Sequence, residues 1–203
     1  VLSYGIIDLG DPDRRKRELA KARELLVLRG SAEGRIEIAL GPHAPYTCSE
    51  ECLLEVRRLA EKHQTRIHMH LSESMGEVQR FLEQKGKRPV EYLREIGFLG
   101  PNLTAAHCVH LDQREIKILA QEGVSVVHNP TSNLKLGCGI APVIEMIDQG
   151  INLSLGTDGP ASNNTLNIFQ EMKLCALLQK GKRRDPTRPR TTEVLEMATQ
   201  GGA

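Results

Sequence analysis

Apolar positions along the chain fall into two kinds of segment. Short aliphatic or β-branched runs stand at 36–40, 66–71, 103–106, 124–127 and 151–155. Runs of that length bounded by turn residues predict strands. Between them, apolar residues recur at helical spacing behind recognisable start signals. Asp11-Pro12 opens a charged amphipathic helix with Leu19, Ala22 and Leu26 on one face. Ser49 caps a helix carrying Leu53, Val56 and Ala60. Ser74 with Glu77, and Asp112 with Glu115, spell capping boxes, and Gly123 closes the second helix. Pro142 begins another that Gly150 ends, Leu166, Phe169, Lys173 and Leu177 mark a longer one, and 192–197 is the last. The segment 180–190, basic with two prolines, is expected to be an exposed loop.

The order is therefore strand then helix, repeated, with strands apolar enough for burial on both faces, as in a parallel sheet. Two architectures fit this pattern: a doubly wound sheet and a (β/α)8 barrel. No GxGxxG follows the first strand and no GxxxxGK[ST] occurs, which weakens the nucleotide-binding versions. With 203 residues, 39% hydrophobic and 26% charged, the chain reads as globular, one domain or a large piece of one. Net charge is +1, aromatics are 3% and tryptophan is absent, which argues against a nucleic-acid partner. No apolar run approaches the roughly 18 residues of a membrane span, so no membrane partner is expected. Five cysteines at scattered spacings form neither a disulfide framework nor a paired zinc motif, and the expected compartment is the reducing cytoplasm. The chain starts at Val1 without Met or a leader pattern and stops at Gly201-Gly202-Ala203, so both ends read as cuts through a longer protein.

Chemistry concentrates where the runs end. The first runs into Gly41-Pro42-His43, the second reaches His70 and then Glu73, and the third ends at His107. The fourth ends at His128-Asn129-Pro130 and the fifth at Gly156-Thr157-Asp158-Gly159. In parallel α/β folds the carboxyl ends of the strands form the rim where active sites sit. A single buried histidine is commonplace; a His or Asp at every one of five successive strand ends is not. Imidazole and carboxylate are ligands for zinc and related divalent ions, so the residues point to a metal-dependent hydrolase. His68 shares a strand face with His70, yet His70 lies nearer the rim and is the favoured ligand. His63 and His110 read as structural.

These motifs resemble the amidohydrolase superfamily. The resemblance rests on Leu40-Gly41-Pro42-His43-Ala44-Pro45-Tyr46, His70-Leu71-Ser72-Glu73, Ala105-Ala106-His107-Cys108-Val109-His110, His128-Asn129-Pro130-Thr131-Ser132-Asn133-Leu134-Lys135-Leu136-Gly137 and Leu155-Gly156-Thr157-Asp158-Gly159-Pro160-Ala161-Ser162-Asn163-Asn164. Within it the chain is most similar to the 5′-methylthioadenosine/S-adenosylhomocysteine deaminases. The resemblance implies an α/β fold, a partial (β/α)8 TIM-type barrel covering about strands four to eight, with residues 1–203 one incomplete catalytic domain and no second domain. It implies one divalent metal ion, zinc first and iron or nickel as alternatives, with His70 and Asp158 as ligands. Glu73, His107 and Asp158 take catalytic roles: Glu73 shuttles protons, His107 stabilises the attacking oxygen, and Asp158 also accepts a proton from water. His43 and Ser162 contact the substrate; an arginine near the start of the first helix holds its tail in some members, and Arg14, Arg15 and Arg17 all stand where it would be, with none singled out. The implied substrate is a small nucleoside-like molecule, deaminated by water with release of ammonia.

The chain departs from the pattern in two respects, one of them the absence of the small β-sandwich that family members build from both termini. A first-strand His-x-His that supplies two further metal ligands is absent, and His68-x-His70 occupies the fifth-strand slot instead. Two ligands fall short of the three or four a catalytic zinc takes. Three functions are therefore carried forward. The first is a hydrolytic deaminase of an adenosine-like thioether nucleoside. The second is another amidohydrolase of a heteroaromatic ring: a triazine hydrolase, or a guanine or cytosine deaminase. The third is a catalytically incompetent fragment that only folds or self-associates. Homo-oligomer formation is left open. All three rest on the expectation that His43, His70, Glu73, His107 and Asp158 converge.

Overall fold

The computed structural model describes all 203 residues. Six strands form one sheet, β1 (Leu2–Ile6), β2 (Ile38–Pro42), β3 (Ile67–Leu71), β4 (Leu103–His107), β5 (Ser125–His128) and β6 (Leu153–Leu155). Their spatial order is their chain order and every neighbouring pair is parallel. A doubly wound sheet reverses its strand order part-way across; this one never does. The topology is that of a barrel built strand by strand, left open between β1 and β6.

Helices α1 (Pro12–Leu26), α2 (Glu50–His63), α3 (Met75–Lys85), α4 (Pro89–Glu95) and α5 (Gln113–Gln121) cover the outer face of the first strands. They are followed by α6 (Pro130–Lys135), α7 (Val143–Asp148), α8 (Pro160–Asn163), α9 (Ile168–Arg183) and α10 (Thr191–Ala198). The core of 37 buried residues lies between the strands and these helices, with Ile67, Met69 and Leu71 of β3 wholly inside it. His68 and His70 alternate with them onto the inner face, where they are half-buried. A cavity of about 810 Å³ opens on the amino-terminal side of that inner face among Ser3, His68, Thr104, Ser125 and Ser154. No helix is long and apolar enough to cross a membrane.

Three expectations need correcting. The sheet has six strands, not five: β1 is an edge strand exposed along most of its length, and its serine, tyrosine and glycine mask the apolar run. Counted back from the strand of His70, β1 takes the third barrel position, so the span of strands four to eight grows by one. The helix that ends in the basic segment continues through Arg183, so only 184–190 is loop. Finally, Asp112 and Glu115 complete a reciprocal capping box, whereas at Ser74 only half of one forms. The carboxylate of Glu77 goes elsewhere, as described below.

Candidate active site

Four residues at the carboxyl rim make a chain of contacts across three adjacent strands. The rings of His43 and His70 lie 4.7 Å apart by centroid, and those of His70 and His107 stack at 5.3 Å with planes 18° apart. Glu73 Oε1 stands 3.9 Å from His107 Nδ1. His107 reaches this group against strand alternation. Its register partner is Leu71, on the core side of the sheet. A left-handed turn, φ +70° at His107 and +48° at Cys108, re-aims it onto His70. Ser72 (φ +49°) and Asp158 (φ +60°) share that unfavourable conformation. Four such non-glycine residues at one rim mark a strained, over-determined site.

Hydrogen bonds set the histidine tautomers. The carbonyl of His43 accepts from both the backbone N–H (2.9 Å) and the ring Nδ1 (2.7 Å) of His70. A carbonyl only accepts, so His70 Nδ1 carries the proton and Nε2 presents a bare lone pair. His107 Nδ1 likewise donates to Asn133 Oδ1 at 2.8 Å. His43 Nδ1 lies 3.0 Å from Thr47 Oγ1. Burial, helped by His70 and opposed by Glu73, holds the His43 ring below its ordinary pKa. His43 is therefore favoured as a neutral ring, the form that accepts hydrogen bonds.

Asp158 joins the group through α6. Its Oδ2 accepts from Ser132 Oγ (2.7 Å) and Ser162 Oγ (2.8 Å), and its Oδ1 from the Gly159 N–H (2.7 Å). Ser132 is the neighbour of Asn133, so one short buried helix aligns both Asp158 and His107. Burial raises the Asp158 pKa, but the hydroxyl and amide donors, with His107 nearby, outweigh it and hold the carboxylate below its ordinary value. Ser162 thus turns its hydroxyl to Asp158. Ser132 and Asn133 lie inside the motif that runs from His128 to Gly137, which gives neither a role of its own; the Asn129-Pro130 start, with proline at the first helical position, marks where their helix begins.

The remaining candidates separate by their partners. Arg15 is committed to acids, 3.9 Å from Asp8, 3.6 Å from Glu51 and 3.3 Å from Glu55. Arg17 is exposed, while Arg14 is partly buried in the first turn of α1 at the rim. His110 donates from Nε2 to the Cys138 carbonyl at 2.7 Å, a structural tie. His68 lies 6.1 Å from His70 by ring centroid, on the amino-terminal side. His128 is 1% exposed, and neither ring nitrogen has a hydrogen-bond partner in the protein.

The donor chemistry at the rim suits a divalent ion of the zinc type: an imidazole oriented by a carbonyl at its Nδ1 and a carboxylate held by hydroxyl and amide donors. No three His, Cys, Asp or Glu donor atoms at the rim lie within 4.8 Å of one another; the trio that does is Asp8, Cys48 and Cys52, buried between α2 and the sheet. There Asp8 already accepts from the Ser49 N–H and hydroxyl, and Cys48 contacts the Ile6 carbonyl, so packing accounts for the trio. His70 and Asp158 accordingly fit as part of a ligand set, not as the whole of one.

Sheet order, rim histidines and the aspartate after β6 together define a segment of a parallel α/β barrel with imidazole and carboxylate side chains at its carboxyl rim. The chain belongs to the amidohydrolase family, which it matches over residues 1–203. It is 52% identical over 199 residues to a 5′-deoxyadenosine deaminase of Methanopyrus kandleri, covering 98% of this chain and 46% of that protein. It is 51% identical over 203 residues to a 5-methylthioadenosine/S-adenosylhomocysteine deaminase of Thermococcus kodakarensis, covering 100% and 48%. An adenosine deaminase from Xanthomonas campestris, solved with bound zinc, superposes with a TM-score of 0.92 at 36% identity, covering 100% of this chain and 46% of that one. The chain thus spans about half the length of the curated relatives it matches.

Proposed function

We propose that this chain supplies the proton-handling half of a metal-dependent hydrolytic deaminase acting on adenosine-like nucleosides. The observation that carries the reading is the contact chain from His43 through His70 and His107 to Glu73, with the His70 tautomer fixed so that Nε2 faces outward. His70 and Asp158 would hold a divalent ion, zinc as in the Xanthomonas relative, together with ligands from outside the rim described here. Such an ion lowers the pKa of a bound water so that it can attack near neutral pH.

The protein's own groups then divide the work. Asp158, kept ionised by Ser132, Ser162 and Gly159, accepts the proton that water gives up. Glu73 donates a proton to the ring nitrogen beside the amino-bearing carbon, offsetting charge as water adds there. His107, locked by Asn133, steadies the oxygen that attacks. His43 meets the base and Arg14 is placed to hold the 5′ end; the proton held by Asp158 passes to the amino group, which leaves as ammonia, and the hydroxyl proton of the adduct returns to Glu73 as the ring carbonyl forms. We favour a 5′-thioether nucleoside, and the cytoplasm as the compartment, since all five cysteines are free thiols.

The test uses a protein carrying this chain with whatever flanking sequence its gene encodes. Ammonia release is measured on adenosine, 5′-deoxyadenosine, 5′-methylthioadenosine, S-adenosylhomocysteine, guanine and a chlorotriazine. Release from the adenosine series alone supports the proposal; turnover of guanine or the triazine alone moves the protein elsewhere in the family. Glu73→Gln is expected to cut kcat about a thousandfold, to a residual rate that ammonia release still measures, while metal content holds, and a variant near full rate would remove Glu73 from the mechanism. The open ligand set favours a second outcome for the 203 residues alone: metal retained weakly and no turnover.

A further inference from the structure

The half-made capping box at Ser74 leaves a carboxylate to account for. Ser74 Oγ accepts from the Glu77 N–H at 3.2 Å, as a cap should. The Glu77 carboxylate does not return to the Ser74 N–H. It passes that residue and accepts from two successive backbone donors upstream, Ser72 N–H at Oε1 (3.1 Å) and Glu73 N–H at Oε2 (2.9 Å). Glu77 is 3% exposed, and both its side-chain hydrogen bonds come from those amides. Burial pushes its pKa up against the pull of the amides. A group so costly to bury, in so specific a fork, is there to hold a peptide.

That peptide is strained and tied on its other side. Ser72 sits at φ +49°, a conformation L residues rarely adopt. Its carbonyl accepts from Val109 N–H (3.1 Å) and His110 N–H (2.9 Å), so the loop after β3 is pinned to the loop after β4. The turn at Ser72 directs Glu73 toward His107. Beyond it, the thiol of Cys138 lies 3.8 Å from Glu73 Oε1. Without the Glu77 fork, Ser72 and Glu73 would lose their amide acceptors and the left-handed turn would have one anchor in place of two.

We infer that Glu77 is a positioning residue for Glu73: its buried carboxylate holds the Ser72–Glu73 peptide so that the Glu73 side chain stays beside His107. The inference rests on the proposed role of Glu73, and a double-mutant cycle separates the two. Glu77→Gln keeps size but puts an amide NH2 against a backbone N–H. It is expected to lower kcat about tenfold to a hundredfold, the scale of an ångström misplacement, with KM and metal content unchanged. In a Glu73→Gln background, the same change is expected to have no further effect on residual kcat. A Glu77→Gln protein at full rate overturns the inference, as does a loss of equal size in both backgrounds, which would make Glu77 a general stability residue. Full activity of Glu73→Gln alone sinks the role of Glu73 instead. Should Glu77→Gln fail to fold, Glu77→Asp carries the same cycle, keeping charge and both oxygens on a shorter arm: a kcat loss confined to the Glu73 background supports the inference, and none overturns it.

Discussion

Acid sensitivity should track one histidine. His128 ends β5 inside the core, fully buried with no hydrogen-bond partner for either ring nitrogen. Burial, with His107 and Lys182 adding like charge, pushes its pKa from the ordinary 6.5 down to about 3. The folded state therefore refuses a proton that the unfolded chain accepts. The stabilising effect of a neutral His128 is complete above the unfolded pKa and is lost as pH falls from about 6.5 toward 3. Each pH unit in that window removes about 1.4 kcal/mol, so about 2 kcal/mol is gone by pH 5 and about 5 kcal/mol across the whole window. The perturbation is His128→Leu, which removes the titrating group and both unpartnered nitrogens. Urea unfolding of parent and variant at about pH 7 and about pH 5 gives four free energies. The parent is expected to lose about 2 kcal/mol more than the variant between them. Equal losses would refute the reasoning, because His128 would then titrate alike in both states.

Two further outcomes follow from packing. A Cβ on Gly156 would stand 2.7 Å from both Val127 Cγ1 and Asn129 Nδ2; Gly156→Ala should cost about 1–3 kcal/mol in urea unfolding and, two residues from Asp158, weaken metal retention. Gly181→Ala in α9 meets open space and should instead raise stability by up to about 1 kcal/mol. Arg88 donates to the wholly buried Glu115 at 2.8 Å and to the His110 carbonyl at 2.6 Å. Arg88→Met leaves Glu115 with backbone donors alone and should cost about 3 kcal/mol, read by thermal unfolding; an unchanged midpoint would show that Glu115 needs no cation.

Much of this was legible in the sequence, and what was missed has physical causes. Five strands showed because buried parallel strands are continuous apolar runs; β1 hid because an edge strand exposed along most of its length needs no such run. Helices α4, α6 and α8 begin with proline but are too short for a full apolar period. The rim side chains could be read from their place after each run. Their supports could not: Asp158 is held by Ser132, 26 residues away, and Ser49 by Asp8, 41 residues away. Such partners meet only once the barrel order is set. Among the three candidate arginines near the start of α1, no local signal separates Arg14 from Arg15; the acids on α2 do.

The supports have a common design that marks the working face of the sheet independently of any relative. Buried carboxylates sit beside the loops that leave the strands. Asp8 takes Ser49, Glu77 takes Ser72 and Glu73, Glu115 takes Val90 and, through Arg88, His110, and Glu171 takes the Thr131 N–H at 3.0 Å and Asn163 Nδ2 at 2.8 Å. Burying a carboxylate opposes folding unless its oxygens are satisfied, and left-handed residues add about 1–3 kcal/mol of strain each. A fold selected for stability alone would place neither here. Both meet at the carboxyl rim, where Ser72, His107, Cys108 and Asp158 are strained, while the other strand ends open onto a hydroxyl-lined cavity that none of these four carboxylates lines. Stability is given up where side chains from distant segments must be held in register, which is what the site proposed from His43, His70, Glu73, His107 and Asp158 would require.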